Sequence, residues 1–119
     1  MEYLNKGEKK MSEPITINEL GGIYTALITP MHENGEIDYD KLERLIDDQI
    51  DAGVNGILAC GTTGQSTTII DDEHLDLVET IHDYVNGRVG FIANAGSNDT
   101  RTAVEISNRI EERVGPTTL

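Results

Sequence analysis

The chain has 119 residues, 22 acidic and 9 basic, for a formal charge of −13, with 37% apolar and 4% aromatic residues. That length holds one domain at most, and with one Phe and no Trp its core has to be aliphatic. So acidic a surface argues against nucleic acid or an anionic membrane as partner, because clustered Lys and Arg drive binding to both.

The acidic excess also suits solubility at high salt, in which case added KCl should raise thermal stability rather than lower it. Cys60 is the only cysteine, so no disulfide forms within the chain, and a reducing cytoplasm is the expected setting. No signal-type apolar segment and no run of about 18 apolar residues is present, so neither export nor a membrane span is expected.

Residues 1–20 mix Lys, Glu, Asn and Ser without periodicity and read as a flexible leader, with Met11 a second candidate start. From Ile23 to Ile28 the sequence favours a strand, ended by Thr29-Pro30 because proline cannot donate to a ladder. Asn34-Gly35 signals a tight turn with positive φ. Asp38 is a candidate N-cap for a helix carrying Leu42, Leu45, Ile46 and Ile50 on one face, with Gly53 as its C-terminal stop.

A second strand, Gly56 to Cys60, runs into Gly61-Thr62-Thr63-Gly64-Gln65-Ser66. A second helix begins near Asp71-Asp72, whose charges suit the positive end of the helix dipole. Its inward face is Leu77, Val78, Ile81, Tyr84 and Val85, and Asn86-Gly87 ends it. The third strand, Val89 to Ala93, leads into Asn94-Ala95-Gly96-Ser97-Asn98. Asp99 then caps a third helix with Ala103, Ile106, Ile110 and Val114 inward. Gly115-Pro116 stops that helix, and Thr117-Thr118-Leu119 reads as the opening of a fourth strand.

The three strands start 33 residues apart, at Ile23, Gly56 and Val89. Aliphatic, non-alternating strands joined by helices imply a parallel sheet. An open doubly wound sheet and part of a (β/α)8 barrel both fit. Thr29, then Thr62, Thr63 and Ser66, then Asn94, Ser97 and Asn98 follow successive strands, which favours a barrel with one polar C-terminal face.

Two hydroxyls and two glycines after a buried strand make the Gly61–Ser66 loop a candidate anion site, where backbone N–H groups meet a carboxylate. The loop is neither a P-loop nor a dinucleotide fingerprint, since no Gly-Lys-Ser/Thr follows. His32, His74 and His82 lack zinc spacing and read as solvated or capping residues; Asp71-Asp72-Glu73 lacks calcium-loop spacing. No metal or other cofactor is expected. Cys60 reads as core, Tyr24 as packing, and Asp47-Asp48 and Glu111-Glu112 as solvated faces. Asn94 and Ser97 suit either a lining of the site mouth or turn chemistry.

The order Ala26-Leu-Ile-Thr-Pro30, Ile37-Asp-Tyr-Asp-Lys-Leu42, Asp51-Ala-Gly-Val-Asn-Gly-Ile57, Gly61-Thr-Thr-Gly-Gln-Ser66, Asp72-Glu-His74, Gly87-Arg-Val89 and Ala95-Gly-Ser-Asn98 resembles a known family. It is the pyruvate-dependent class I aldolase family of dihydrodipicolinate synthase and N-acetylneuraminate lyase, and the likeness runs from about Gly22 to Leu119. The resemblance implies a (β/α)8 barrel, of which this chain supplies three βα units and the start of strand 4. It also implies a Schiff base between a lysine and pyruvate, followed by reaction with an aldehyde partner. Thr62 matches a proton-relay hydroxyl. Thr63, with the Thr62 and Gly64 backbone, matches the grip on the pyruvate carboxylate. The Thr-Thr pair resembles the synthase branch, which implies aspartate semialdehyde as the aldehyde, lysine and diaminopimelate synthesis as the setting, and a homotetrameric parent.

Gln65 stands where the family usually has Glu, which leaves the threonine roles intact. Positions matching Thr67, Asp71, His74, Asn98 and Thr102 line an effector pocket in lysine-inhibited members. His74 and Asn98 match as remnants of it, whereas Thr102 replaces a carboxylate, so feedback by lysine is not implied. A whole barrel takes about 250 residues, and the resemblance puts the Schiff-base lysine and both relay tyrosines beyond Leu119. Lys6, Lys9, Lys10 and Lys41 do not match that lysine. The expectation is an N-terminal portion of a dihydrodipicolinate synthase-like enzyme, inactive alone, that self-associates or binds its missing half. The alternatives are an aldolase of 2-keto-3-deoxy sugar acids, a non-catalytic half-barrel interaction module and a small anion-binding α/β domain.

Overall fold

A computed structural model describes residues 11–13 and 20–117. Three βα units follow in order: β1 (Tyr24–Ala26), α1 (Tyr39–Asp51), β2 (Gly56–Ala59), α2 (Asp71–Val85), β3 (Gly90–Ala93) and α3 (Thr100–Val114), with a short 3-10 turn at Ser66–Thr68. The strands pair in parallel as β1-β2-β3. Tyr24, Gly56 and Gly90 stand in one row of the register, and Thr25, Ile57 and Phe91 in the next.

Side chains alternate across a strand, so these rows belong to opposite faces. Thr25, Ile57 and Phe91 look toward the helices, and the His82 ring of α2 meets Phe91 edge-on at 5.3 Å between centroids. On the other face the Tyr24 ring lies across its own row. A Cβ at Gly56 or at Gly90 would run into that ring, so the two glycines make room for one aromatic side chain. Tyr24 is therefore a packing residue, as its sequence context suggested.

β1 is shorter than the expected Ile23–Ile28. Its ladder to β2 ends at Leu27, whose N–H reaches the Leu58 carbonyl at 3.1 Å, and Ile28 is 55% exposed. β3 gives the Ala93 N–H to the Thr117 carbonyl at 2.7 Å, which is where a fourth strand was expected. Residues 118 and 119 of that expected strand, and residues 1–10 and 14–19 of the leader, lie outside the described residues.

Local signals place the helix ends. Asp38 Oδ1 accepts from the Lys41 N–H at 3.0 Å at the start of α1, and Asp99 Oδ2 accepts from the Thr102 N–H at 2.9 Å at the start of α3. The turn before α1 puts its positive φ on Gly35, and Gly53 (φ +93°) stops α1. α2 has no side-chain cap but carries Asp71, Asp72 and Glu73 in its first turn, and Asn86 ends it in the left-handed conformation.

The core is aliphatic as expected, with Leu42, Ile46, Ile57, Leu77, Val78, Ile81 and Val114 all almost wholly buried. Three expectations need correction. His74 and His82 are not solvated or capping residues but are 3% and 8% exposed. Leu75, absent from the expected face of α2, is fully buried, because α2 is covered by the sheet on one side and by α3 on another. Asp47 is not merely solvated: it accepts from the Tyr84 hydroxyl at 2.6 Å and from Arg88 at 2.8 Å, and so ties α1 to α2.

Across α2 and α3 the few basic residues are used on the acidic excess. Arg109 pairs with Asp72 at 3.0 Å and Arg113 with Asp76 at 2.8 Å. Such surface pairs each contribute little. The Ser12 backbone N–H also reaches the Val114 carbonyl at 2.7 Å, and its hydroxyl lies 2.9 Å from His82 Nε2.

Candidate active-site loop

The ladder of β2 ends at Ala59, and Cys60 then turns the chain with φ 54°. The following loop closes on itself: the Gln65 N–H reaches the Thr62 carbonyl at 3.0 Å and the Ser66 N–H the Gly61 carbonyl at 3.2 Å. Gln65 is left-handed (φ 64°, ψ 35°), and its carbonyl accepts from both the Thr68 N–H and the Thr68 hydroxyl. Two left-handed residues with side chains in six positions mark a backbone held by its surroundings.

Those surroundings can be named. The Thr29 hydroxyl, 5% exposed at the end of β1, donates to the Gly64 carbonyl at 2.7 Å. Gly64 is pressed so closely onto β1 that a Cβ there would lie 3.0 Å from the Leu27 carbonyl oxygen and 3.2 Å from Cys60 Cα. From the far side, Asn94 Nδ2 donates to the Cys60 carbonyl at 3.0 Å, while the Asn94 N–H continues the ladder to Ala59. His74 Nε2 lies 2.8 Å from the Asn94 carbonyl. A carbonyl only accepts, so Nε2 carries the proton.

Thr62 and Thr63 are exposed at the rim, and Gly61 and Gly64 are buried beneath them. Among the described residues, the N–H groups of Thr62, Thr63 and Gly64 and both threonine hydroxyls have no hydrogen-bond partner. The Gly61 N–H likewise has none, so a run of amide donors and two hydroxyls without partners among the described residues stands at the C-terminal edge of a parallel sheet, a set of donors suited to an anion.

The other sequence candidates are placed differently. His74 is turned inward to Asn94, and Asn98 is exposed in the loop before α3. Thr102 is occupied by the Asp99 cap, its hydroxyl 2.6 Å from Asp99 Oδ2. No hydrogen bond joins His74, Asn98 and Thr102 among the described residues. Asn94 and Ser97, open between lining and turn chemistry, are both engaged in their own turn: Asn94 Oδ1 accepts from the Gly96 N–H and Ser97 Oγ from the Asp99 N–H. Cys60 is 1% exposed, and burial pushes its thiol up to about 12, which makes it a core residue and not a thiolate at neutral pH. Among the described residues no group of three or more His, Cys, Asp or Glu side chains is arranged to hold a metal, and no helix is long and apolar enough to cross a membrane.

Sequence reasoning missed the part played by Thr29. Part of the signal was available in the strand alternation, which puts Thr29 on the same inward face as Thr25 and Leu27; that it finds an acceptor was not, since the Thr25 hydroxyl on that face is buried with no partner among the described residues.

Residues 19–116 match the dihydrodipicolinate synthetase family. The chain belongs to that family. Its members are lyases built as class I aldolase (β/α)8 barrels, and the three βα units here are the N-terminal part of such a barrel. The chain is 51% identical over 86 residues to the 4-hydroxy-tetrahydrodipicolinate synthase of Methanocaldococcus jannaschii, covering 72% of this chain and 29% of that one. It is 44% identical over 91 residues to the synthase of Geobacter metallireducens, covering 76% and 31%. The crystal structure of the dihydrodipicolinate synthase of Acinetobacter baumannii, chloride-inhibited and complexed with pyruvate, superposes with a TM-score of 0.74 at 36% identity, over 76% of this chain and 31% of that one. The chain thus spans about a third of the length of the relatives it matches.

Proposed function

We propose that this dihydrodipicolinate synthetase family chain is the carboxylate-holding and proton-relaying part of a dihydrodipicolinate synthase-like lyase. The activity it would serve is Schiff-base condensation of pyruvate with aspartate semialdehyde, on the route to lysine and diaminopimelate. The observation that carries the reading is the set of free amides at Thr62, Thr63 and Gly64, held at the strand ends by Thr29 and Asn94. Fixed donors of this kind stabilise a carboxylate because no reorganisation is needed when it arrives. The Thr63 side chain adds a hydroxyl donor to that grip. The Thr62 hydroxyl, able to donate and accept in one step, passes a proton between the reacting carbon and the tyrosines that the rest of the barrel would supply.

The nucleophile comes from elsewhere. Lys41, the only lysine among the described residues, sits in the first turn of α1 with Nζ 3.6 Å from Asp38, and no hydrogen bond or ion pair ties it to the strand-end loop among the described residues. The chain alone is therefore inactive in this reading. It also leaves the inner sheet face uncovered: Ile28, on the Tyr24 side just beyond β1, is 55% exposed. The remaining barrel, or failing that a second copy, covers this face, and the complete protein assembles as a tetramer.

Borohydride trapping with pyruvate, read by mass spectrometry, tests the proposal. The chain alone should gain no pyruvyl adduct. The same chain joined to the C-terminal two-thirds of a family member should gain one, and Thr63→Val should suppress it. An adduct on the chain alone overturns the inactivity, and a joined protein that never traps pyruvate overturns the function.

A further inference from the structure

We infer that Asn94 is a positioning residue for the Gly61–Gly64 cradle: its side-chain amide holds the Cys60 carbonyl and so keeps the Cys60 backbone left-handed. The inference rests on reading that loop as a carboxylate cradle.

Cys60 carries a Cβ and still adopts φ 54°, a region that such residues occupy only where neighbours enforce it. The thiol supplies no such constraint, since no hydrogen bond of its sulfur is present among the described residues. What does act on this residue is the 3.0 Å bond from Asn94 Nδ2 to its carbonyl. Carbonyls alternate sides along a strand: that of Leu58 accepts from Leu27 on the β1 side and that of Ala59 from Asn94 on the β3 side, so a continuing ladder would aim the Cys60 carbonyl back at the β1 side. Here a side chain takes it, and the chain is free to turn.

Asn94 is itself fully committed. Its N–H goes to the Ala59 carbonyl at 3.0 Å, its carbonyl receives His74 Nε2–H at 2.8 Å, and its Oδ1 receives the Gly96 N–H at 3.2 Å. The orientation of the amide follows from these partners, because the Cys60 carbonyl can only accept and the Gly96 N–H can only donate. Every polar group of Asn94 is thus spoken for, and Nδ2 is aimed at Cys60 by bonds from two other directions. At the opposite end of the segment the Thr29 hydroxyl holds the Gly64 carbonyl. Between these two fixed carbonyls lie the amides of Gly61, Thr62, Thr63 and Gly64, none of which has a partner among the described residues. The ordering of the donors is thereby met during folding, which leaves more of the interaction energy for the ligand.

The test is an NMR titration of the isotope-labelled 119-residue chain with pyruvate. It reads the amide signals of Thr62, Thr63 and Gly64, and the Cys60 Cα shift and three-bond HN–Hα coupling as measures of its φ. Asn94→Ala removes the donor. Asn94→Asp removes it while keeping the Gly96 contact, so the comparison survives if one variant fails to fold. The expected result is pyruvate affinity roughly tenfold weaker in Asn94→Ala, as suits one lost hydrogen bond, together with a Cys60 signal that leaves its left-handed value. A residue with a general structural role would lower the melting temperature without moving that signal. Affinity and Cys60 signal both unchanged in the variants would overturn the inference. A wild-type chain with no pyruvate response would overturn the cradle reading instead, and the Cys60 signal would still decide whether Asn94 sets the turn.

Discussion

Replacing Thr29 by Val isolates the contact that pins the loop to β1. The two side chains have nearly the same shape, so the change removes a hydroxyl donor and puts a methyl in its place. The Gly64 carbonyl, which Thr29 serves at 2.7 Å in a buried setting, is left without that donor. An orphaned buried acceptor costs about 1–3 kcal/mol. The added methyl returns at most about 0.8 kcal/mol of apolar burial. The net destabilisation is then about 0.2–2 kcal/mol, centred near 1, or a fall in melting temperature of roughly 5 °C for a domain of this size. Thr29→Ser is the control: it keeps the donor and loses only a methyl group. Circular dichroism melts measure the stability, and the Gly64 carbonyl 13C shift reports the hydrogen bond directly. The Val variant should lose both stability and the shift, and the Ser variant should keep the shift and most of the stability. A Val variant that melts with wild type, or a Ser variant that loses the shift, refutes the reasoning.

Two further outcomes follow from the fold. Gly56→Ala puts a methyl into the space of the Tyr24 ring, and such overpacking costs about 1–3 kcal/mol; Gly56→Ala combined with Tyr24→Ala should recover part of that loss in urea denaturation, and no recovery contradicts the packing. The helix caps predict an acid limb of stability. The Lys41 N–H lowers Asp38 and the Thr102 hydroxyl and N–H lower Asp99, both from 3.8, so their contribution is whole above that pH and is lost as pH falls through the lower folded values. Asp38→Asn with Asp99→Asn, which keeps cap acceptors that do not ionise, should flatten the decline in melting temperature below about pH 4; an unchanged slope assigns the acid sensitivity to other carboxylates.

The contrast between what the sequence made legible and what it hid follows the range of the interactions. Asp38, Asp99, Gly53 and Asn86 act on backbone groups within a turn of themselves, and each stands where its local chemistry puts it. The loop's place after β2 was also legible, since Gly61 to Ser66 forms one contiguous motif behind an apolar strand. The parts that hold it were not, because Thr29 meets Gly64 across 35 positions and Asn94 meets Cys60 across 34. Nothing within a window of the sequence reports such a meeting; only the parallel pairing of the strands creates it. His74 and His82 are an intermediate case. His74 lies three, four and seven residues before Leu77, Val78 and Ile81, and His82 follows Val78 by four, so helical periodicity already placed both on the buried stripe. Their polarity obscured a position that the spacing had declared.

Thr62, Thr63 and Gly64 are proposed to present a preformed grip for the carboxylate of pyruvate. Its most direct test is the amide spectrum of the wild-type chain titrated with pyruvate, against a lactamide control that has no carboxylate. Saturable shifts centred on those three amides, and none with the control, are the expected result. Shifts scattered over the surface, or equal with both compounds, would contradict it.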